Sequence, residues 1–199
     1  MRLKFLTCAA GIIMITACQS MAQTTFSKNS QSDEEIANCI RTVMALEVGR
    51  WNYMGTIAQI RGKFRTYEAI FVYAEAGPDM WSFKAFGGDV GGDENSAEVS
   101  YTKLVGTTLF SVENGELTDE GAHKVSSCVG PDAEGRYELH QNYKVSSGEG
   151  TYSTSKNMTW YSEHGSYYAE DFFAEDGRVT SRRSGVNTPF NQTVSAQGG

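Results

Sequence analysis

The sequence has little proline and few cationic side chains. It contains 3 prolines against 21 glycines in 199 residues, a composition typical of a chain in which many turns join short strands. Its 17 lysines and arginines are outnumbered by 24 acidic residues. Residues 1–22 hold two cations and no acid, so the rest of the chain carries a formal charge of −9. Such a surface repels polyanions, and we expect neither nucleic acid nor an anionic lipid surface as a partner.

The common catalytic motifs are also absent. There is no Gly-x-Ser-x-Gly elbow, no phosphate-binding Gly-Lys-Ser/Thr loop and no His-Glu-x-x-His helix. Glu170 and Asp171 are adjacent, so in a strand they point to opposite faces and cannot share a substrate. An isomerase or lyase acting inside the fold would need polar groups such as Gln141 and Arg183 to converge. An enzyme is the less favoured class, and no catalytic residue is assigned.

A metal site is not expected either. The chain has three histidines, His123, His140 and His164. They are not at ligand spacing, and a zinc site would want at least two with supporting carboxylates. An oxygen-rich stretch that could hold calcium contains Asp89, Asp93, Asn95 and Glu98. It departs from the EF-hand pattern, and solvated acidic loops are commoner.

The N-terminus has the pattern of an export signal. Arg2 and Lys4 precede an apolar stretch, residues 5–16, that is too short to span a bilayer. Ordinary cleavage would follow Ala22, whereas Ile-Thr-Ala-Cys at 15–18 resembles a bacterial lipobox, with a signal ending at 17 and lipidation of Cys18. Both readings stay open, and a lipid anchor would be the only membrane contact. We expect a polar tether at 23–31, one domain at 32–190 and a flexible tail at 191–199.

Cys39 and Cys128 remain after either cleavage. In an oxidising compartment two such cysteines most simply form a disulfide, which would close a loop of about 90 residues and stabilise the fold by roughly 4 to 5 kcal/mol. The alternative is two buried free thiols. No Cys-x-x-Cys spacing indicates redox or zinc chemistry.

One amphipathic helix is predicted at 33–47. Ser32 and Glu35 form a capping box, and Gly49 follows the last turn. The apolar positions on one helical face are Ile36, Cys39, Ile40, Val43 and Met44. This face needs a sheet or a barrel to cover it.

Beyond Gly49 the helical period gives way to alternation, clearest in 136–145, where Tyr137, Leu139, Gln141, Tyr143 and Val145 share one face and charged or polar residues the other. Strands are predicted near 50–60, 63–75, 79–86, 97–104, 107–113, 116–128, 135–146, 150–162, 165–174 and 177–185. Asn114-Gly115 and Asp176-Gly177 suit hairpin turns, and the Gly-rich stretch 87–92 suits a long loop. About eight to ten consecutive antiparallel strands favour closure into an up-and-down barrel, which also removes exposed edges.

Gly49-Arg50-Trp51, entering the first strand after a short helix, resembles the Gly-x-Trp signature of lipocalin-like (calycin) barrels, over roughly residues 36–190. The resemblance implies that Trp51 packs at the closed end of the barrel and that an arginine of the last strand lies across its ring. Arg182 and Arg183 are candidates, and strand parity favours Arg183. The chain looks like bacterial envelope lipocalin-like proteins of unknown function. The haem-binding nitrobindin type carries a longer Gly-rich run and an axial histidine, which are not visible here, so no cofactor is expected.

Aromatic residues that share strand parity are the best functional indication. They are Trp51 and Tyr53, then Tyr67, Phe71 and Tyr73, then Trp81 and Phe83, then Tyr137 and Tyr143. If these faces turn inward, all but Trp51 line a cup for one small hydrophobic or aromatic ligand. The alternative is a non-catalytic structural or interaction module of the envelope, whose barrel core is filled.

Overall fold

The computed structural model describes residues 31–59, 64–147, 150–161 and 165–190, with side chains described except at 145–161. The predicted export signal, Cys18, His164 and the tail at 191–199 lie outside these ranges. So does the predicted tether, apart from Gln31. In the ranges described, no helix is both long enough and apolar enough to cross a membrane.

The chain forms one helix followed by ten strands. They are α1 (Asp33–Glu47), β1 (Gly49–Gln59), β2 (Phe64–Gly77), β3 (Met80–Phe86), β4 (Ser100–Val105), β5 (Thr108–Glu113), β6 (Glu116–Val129), β7 (Arg136–Ser147), β8 (Gly150–Tyr161), β9 (Gly165–Phe173) and β10 (Val179–Pro189). The predicted helix and all ten predicted strands are confirmed.

Each strand pairs antiparallel with its neighbour along the chain, and β1 pairs with both β2 and β10. The sheet therefore closes, and the predicted antiparallel up-and-down barrel is confirmed. Because the sheet closes, none of the described strands has an unpaired edge.

The helix begins at the predicted capping box. The Ser32 hydroxyl accepts from the Glu35 amide at 3.3 Å, and the Glu35 carboxylate accepts from the Ser32 amide at 2.8 Å. After α1 the chain turns at Gly49, whose φ of 147° lies in a region that side-chain-bearing residues rarely adopt. These two local signals set the bounds of α1 and let β1 start directly behind it.

The apolar face of α1 covers one end of the barrel interior, called here the helix end. Ile40 and Val43 are fully buried. The helix packs on strand residues of this end, Trp81, Leu104, Leu109, Val125, Cys128 and Leu139. The main hydrophobic core thus lies between α1 and the inner face of β3 to β7.

The predicted disulfide between Cys39 and Cys128 is confirmed. The Cα atoms of the two residues are 5.8 Å apart, and the bridge ties α1 to β6. Gln31, just before α1, makes a second link to β6, because its side-chain amide donates to the Cys128 carbonyl at 2.6 Å. The helix is therefore held on the barrel by a covalent bond and a hydrogen bond as well as by apolar contact.

The predicted turns also occur. Asn114 and Gly115, with φ of 52° and 84°, join β5 to β6 as a two-residue hairpin. Gly177 lies in a longer turn closed by the Ala174 amide and the Arg178 carbonyl at 2.9 Å. These two turns lie at the end of the barrel opposite α1, called here the far end.

The Gly-rich stretch 87–92 falls in the long connection between β3 and β4, as predicted. Asp89 ties this loop to β2 by accepting from the Glu68 amide at 2.8 Å. Asp93 accepts from the amides of Asn95 and Ser96, both at 2.9 Å. Its carboxylate thus serves the turn, and the described residues contain no group of three or more metal-ligating side chains.

Candidate binding site inside the barrel

Trp51 lies at the helix end. Its ring is half-buried against the core, and its indole nitrogen donates to the Glu47 carbonyl at 2.8 Å. The expectation that Arg183 lies across this ring is wrong. The β1–β10 register places Pro189 opposite Trp51 and Arg183 opposite Ile57, so the guanidinium is well away from the indole. Arg183 lies instead over the Phe172 ring, 4.5 Å from its centroid.

Five predicted ligand residues come together on the inner face of β1 to β3, and we call them the aromatic layer: Tyr53, Tyr67, Phe71, Tyr73 and Phe83. Tyr53 stacks on Phe71 with centroids 4.1 Å apart. Phe83 meets Phe71 and Tyr73 at 5.0 Å and 4.9 Å. The shared parity noted in the sequence therefore does correspond to one continuous inner surface.

The other three predicted ligand residues lie elsewhere. Trp81 is buried in the core under α1, and Tyr137 packs against that core. Tyr143 lies on the opposite wall, on β7, where its ring stacks on His123 at 4.0 Å. A ligand-binding role for Trp81 and Tyr137 stays a prediction, and their surroundings are those of core residues.

Two tyrosines of the aromatic layer, Tyr53 and Tyr67, form a hydrogen-bonded cluster with Tyr168 through their hydroxyl groups. The Tyr53 hydroxyl lies 2.7 Å from that of Tyr67 and 2.5 Å from that of Tyr168 on β9. Burial, followed by these hydrogen bonds, raises the pKa of Tyr53, and burial also raises that of Tyr168. The Tyr53 and Tyr168 hydroxyls therefore stay protonated at neutral pH, and the cluster joins β1, β2 and β9 through hydrogen bonds.

Gly55 and Gly185 make room for these tyrosines. The two glycines are direct partners in the β1–β10 register. A Cβ atom on Gly185 would lie 2.5 Å from Cε1 of Tyr168 and 2.6 Å from Cε2 of Tyr53. The rings consequently lie flat against bare backbone at this point of the wall.

Several inward-facing side chains keep solvent-accessible surface. Tyr67, Phe71, Tyr73 and Phe83 are half-buried, although they face the inside of a closed barrel. Burial nevertheless raises the pKa of the Tyr73 phenol well above its ordinary value, so this residue is deep in the molecule. Inward-facing residues that keep accessible surface are the best candidates for contact with a ligand.

A polar cluster lines the wall opposite the aromatic layer and consists of His123, Gln141, Tyr143, Glu170 and Arg183. The Tyr143 hydroxyl donates to the Glu170 carboxylate. His123 Nδ1 lies 3.0 Å from the Gln141 side-chain oxygen. Glu170 and Gln141 are each 5% exposed, so two buried polar groups lie at the same level of the wall, on β9 and β7, with β8 between them.

Burial raises the pKa of Glu170 from 4.5 to about 7, and the positive charge of Arg183 opposes this shift. The titratable groups around it come from several strands. Tyr168 is on the same strand, Arg183 lies opposite on β10, and Lys156 lies opposite on β8 in the strand register. The Glu170 carboxyl group therefore keeps its proton to a higher pH than an ordinary glutamate does.

Arg183 faces the interior at the far end and is exposed. Ile57 lies opposite it on β1, and Arg65 lies opposite Ile57 on β2, also exposed. Neither arginine takes part in an ion pair with another described residue. The interior thus presents cationic groups at its far end, in a chain whose net charge is negative.

Glu170, Tyr168 and His123 were not identified as site residues from the sequence. For Tyr168 and Glu170 the signal was the parity of β9, since both alternate in step with Phe172, an aromatic residue expected to face inward. The adjacent pair behaves as predicted for opposite faces: Asp171 binds Arg182 at 2.8 Å, and both side chains are far more accessible than that of Glu170. Arg183 is the direct register partner of Glu170, whereas Gln141 lies two strands from Glu170, on β7, so the strand register does not bring Gln141 and Arg183 together.

No protein-family model matches the chain, and no curated protein matches it. Three solved structures are similar in shape. Rv2717c from M. tuberculosis has a TM-score of 0.48 and 10% identity, covering 77% of this chain and 98% of its own. The S-type phycobiliprotein lyase CPES from Guillardia theta has 0.49 and 10%, covering 81% and 98%. A redesigned β-barrel has 0.30 and 16%, covering 74% and 95%. These values assign neither a family nor a ligand to this chain, whose barrel is established by its own strand pairing.

Proposed function

We propose that the protein binds a small hydrophobic or aromatic ligand inside the barrel, between the aromatic layer and the polar cluster. The observation that carries the proposal is the accessible surface of Tyr67, Phe71, Tyr73 and Phe83 inside a closed wall. Aromatic and apolar surface with a few placed polar groups is typical of small-molecule sites. The accessible surface of these inward-facing residues supports an interior space over a filled core.

We also infer that the chain is exported in a bacterium, to the periplasm or to the outer membrane through a lipid on Cys18. The Cys39–Cys128 bridge supports this inference, because disulfides persist in oxidising compartments. The intact mass of the mature protein tests it. A chain starting at Gln23 or at a lipidated Cys18 is expected, and a chain that keeps residues 1–17 would overturn the inference.

Binding is tested with N-phenyl-1-naphthylamine, a neutral aromatic probe whose fluorescence rises in apolar surroundings. The protein is first delipidated, and native mass spectrometry of the untreated sample identifies any co-purified ligand. Ala85 faces inward beside Phe71 and is half-buried, so Ala85→Phe places a ring in the proposed space. Ala58 lies on the outer face of β1 and is exposed, so Ala58→Phe is the matched control.

We expect saturable one-to-one binding that Ala85→Phe weakens at least about tenfold and Ala58→Phe leaves unchanged. Equal binding to both variants would place the probe on the outer surface and refute the proposal. Lack of binding to the delipidated wild type, with no co-purified ligand, would favour the alternative of a structural module with a filled barrel.

A further inference from the structure

Glu170 and Arg183 are opposite charges that lie side by side without pairing to each other. They are direct partners in the β9–β10 register, where opposed Cα atoms are about 4.5 to 5.5 Å apart. Yet no ion pair within 4.0 Å joins them. The carboxylate instead accepts from Tyr143, while the guanidinium lies over the Phe172 ring. The structure keeps one acceptor and one cation apart on the same wall of the interior.

From this separation we propose that the interior site binds a ligand with both a basic nitrogen and a carboxylate on an aromatic body, the class of aromatic α-amino acids. The nitrogen binds Glu170, the carboxylate binds Arg183, and the ring packs on the aromatic layer. The inference rests on the proposed function, because it names the class of ligand for the same space.

Of the two charged groups, the buried Glu170 carboxylate has the greater need of hydrogen-bond donors. Removing a carboxylate from water is unfavourable unless donors compensate it, and Tyr143 is the only described side chain that donates to Glu170. Burial raises the pKa of Glu170 although the positive charge of Arg183 opposes the shift, so the guanidinium offsets the cost of burial only in part. A ligand ammonium group would add donors and a positive charge beside this carboxylate.

Arg183 is suited to bind the carboxylate of such a ligand. It is exposed and inward-facing at the far end, where a ligand entering the barrel meets it first. Its planar guanidinium offers the paired donors that a carboxylate accepts. A ligand with a cation alone would have to approach past Arg183 and Arg65, whereas one that also carries a carboxylate is attracted by them.

The test uses probes that share one phenyl ring and differ in charge: L-phenylalanine, 2-phenylethylamine, 3-phenylpropanoate and 3-phenylpropanol. Their affinities are measured by titration calorimetry at neutral pH with delipidated full-length protein. We expect L-phenylalanine to bind at least about tenfold more tightly than either singly charged probe, since each charge-assisted contact adds to affinity.

Four variants test which residue recognises which charged group of the ligand. Glu170→Gln is expected to remove the advantage of the ammonium group, and Arg183→Gln the advantage of the carboxylate, each by about tenfold. Asp171→Asn and Arg182→Gln alter the neighbouring outer pair and serve as controls that leave all affinities unchanged. Thermal melts of each variant confirm that it is folded before binding is interpreted.

Each other outcome overturns the inference in a recognisable way. Tightest binding of 2-phenylethylamine would mean that the site selects a cation alone, and tightest binding of 3-phenylpropanoate an anion alone. Equal binding of all four probes would leave the proposed function standing and refute charge recognition. Failure of every probe, with N-phenyl-1-naphthylamine also unbound, would refute the proposed function itself.

Discussion

The Tyr143 hydroxyl donates a hydrogen bond to the Glu170 carboxylate across the inner face of β8. The contact joins β7 to β9, two strands that are not neighbours in the sheet. Around it lie Gln141 and His123 on one side and Arg183 on the other. A buried carboxylate is thus built into the polar wall that lies opposite the aromatic layer.

Substitution of Glu170 by glutamine is expected to stabilise the protein at high pH. The folded-state pKa of about 7 lies above the ordinary 4.5, so the folded state holds the proton more tightly than the unfolded state. The contribution of Glu170 to stability is therefore fully present below about pH 4.5 and is lost as pH rises to about 7. After allowance for solvent screening, the variant gains about 1 to 2 kcal/mol at pH ~8.5 and nothing at pH ~5.

Urea unfolding at both pH values measures this difference. Asp171→Asn, on the outer face of the same strand, is the control. A free-energy difference between wild type and Glu170→Gln that stays constant with pH would show that the carboxyl group titrates normally.

Replacing Arg183 by glutamine is expected to raise the pKa of Glu170 above about 7. The guanidinium charge favours the ionised carboxylate, and its removal leaves desolvation less opposed. The pH titration of the Glu170 side-chain carboxyl carbon by NMR measures the shift directly. Arg182→Gln, whose side chain faces outward to Asp171, should leave the titration where it is. An unchanged midpoint in Arg183→Gln would mean that Arg183 does not act on Glu170.

Gly185→Ala is expected to destabilise the fold by about 1 to 3 kcal/mol, the usual range for overpacking. The added methyl group would meet the rings of Tyr53 and Tyr168, and their shared hydrogen bond keeps them from moving apart. Thermal unfolding measures the loss, with Ser184→Ala on the outer face of β10 for comparison. A melting temperature equal to that of the wild type would show that the tyrosines are not fixed against this wall.

Replacing both Cys39 and Cys128 by alanine is expected to reduce the free energy of unfolding by roughly 4 to 5 kcal/mol. The bridge closes a loop between residues 89 positions apart, and opening it restores conformational freedom to the unfolded chain. Denaturant unfolding of the oxidised wild type and the double variant gives the difference. Coincident curves would imply that contacts of α1 with the barrel suffice without the bridge.

Most of the fold could be predicted because its signals are local. The capping box at Ser32 and Glu35 marks the start of α1, and alternation within each strand depends only on neighbouring residues. The disulfide followed from having two cysteines in one domain. Closure of the barrel followed from the number of strands, since a long open sheet would have left edges exposed.

The pairing of Arg183 could not be predicted in this way. Whether it meets Trp51 or Phe172 depends on the offset between β1 and β10, whose paired residues are more than 120 positions apart in the chain. A resemblance at Gly49 and Trp51 supplies no information about that offset. Strand parity gave the correct inward face for Arg183 but not its level in the barrel.

Glu170 was missed for a different reason. Its parity with Phe172 was visible, but a charged residue is ordinarily expected on the wet face of a strand. The buried position is tolerated because Tyr143, from a strand distant in sequence, provides a donor. Positions where a charge shares the parity of buried aromatics therefore merit inspection as candidate sites.

The location of a bound aromatic probe tests the central claim most directly. Intermolecular NOEs between N-phenyl-1-naphthylamine and side-chain protons of the delipidated protein report which surface the probe touches. Binding inside the barrel predicts contacts with Phe71, Phe83 and Phe172. Contacts confined to Met54 and Tyr167, exposed apolar residues of the outer wall, would contradict it.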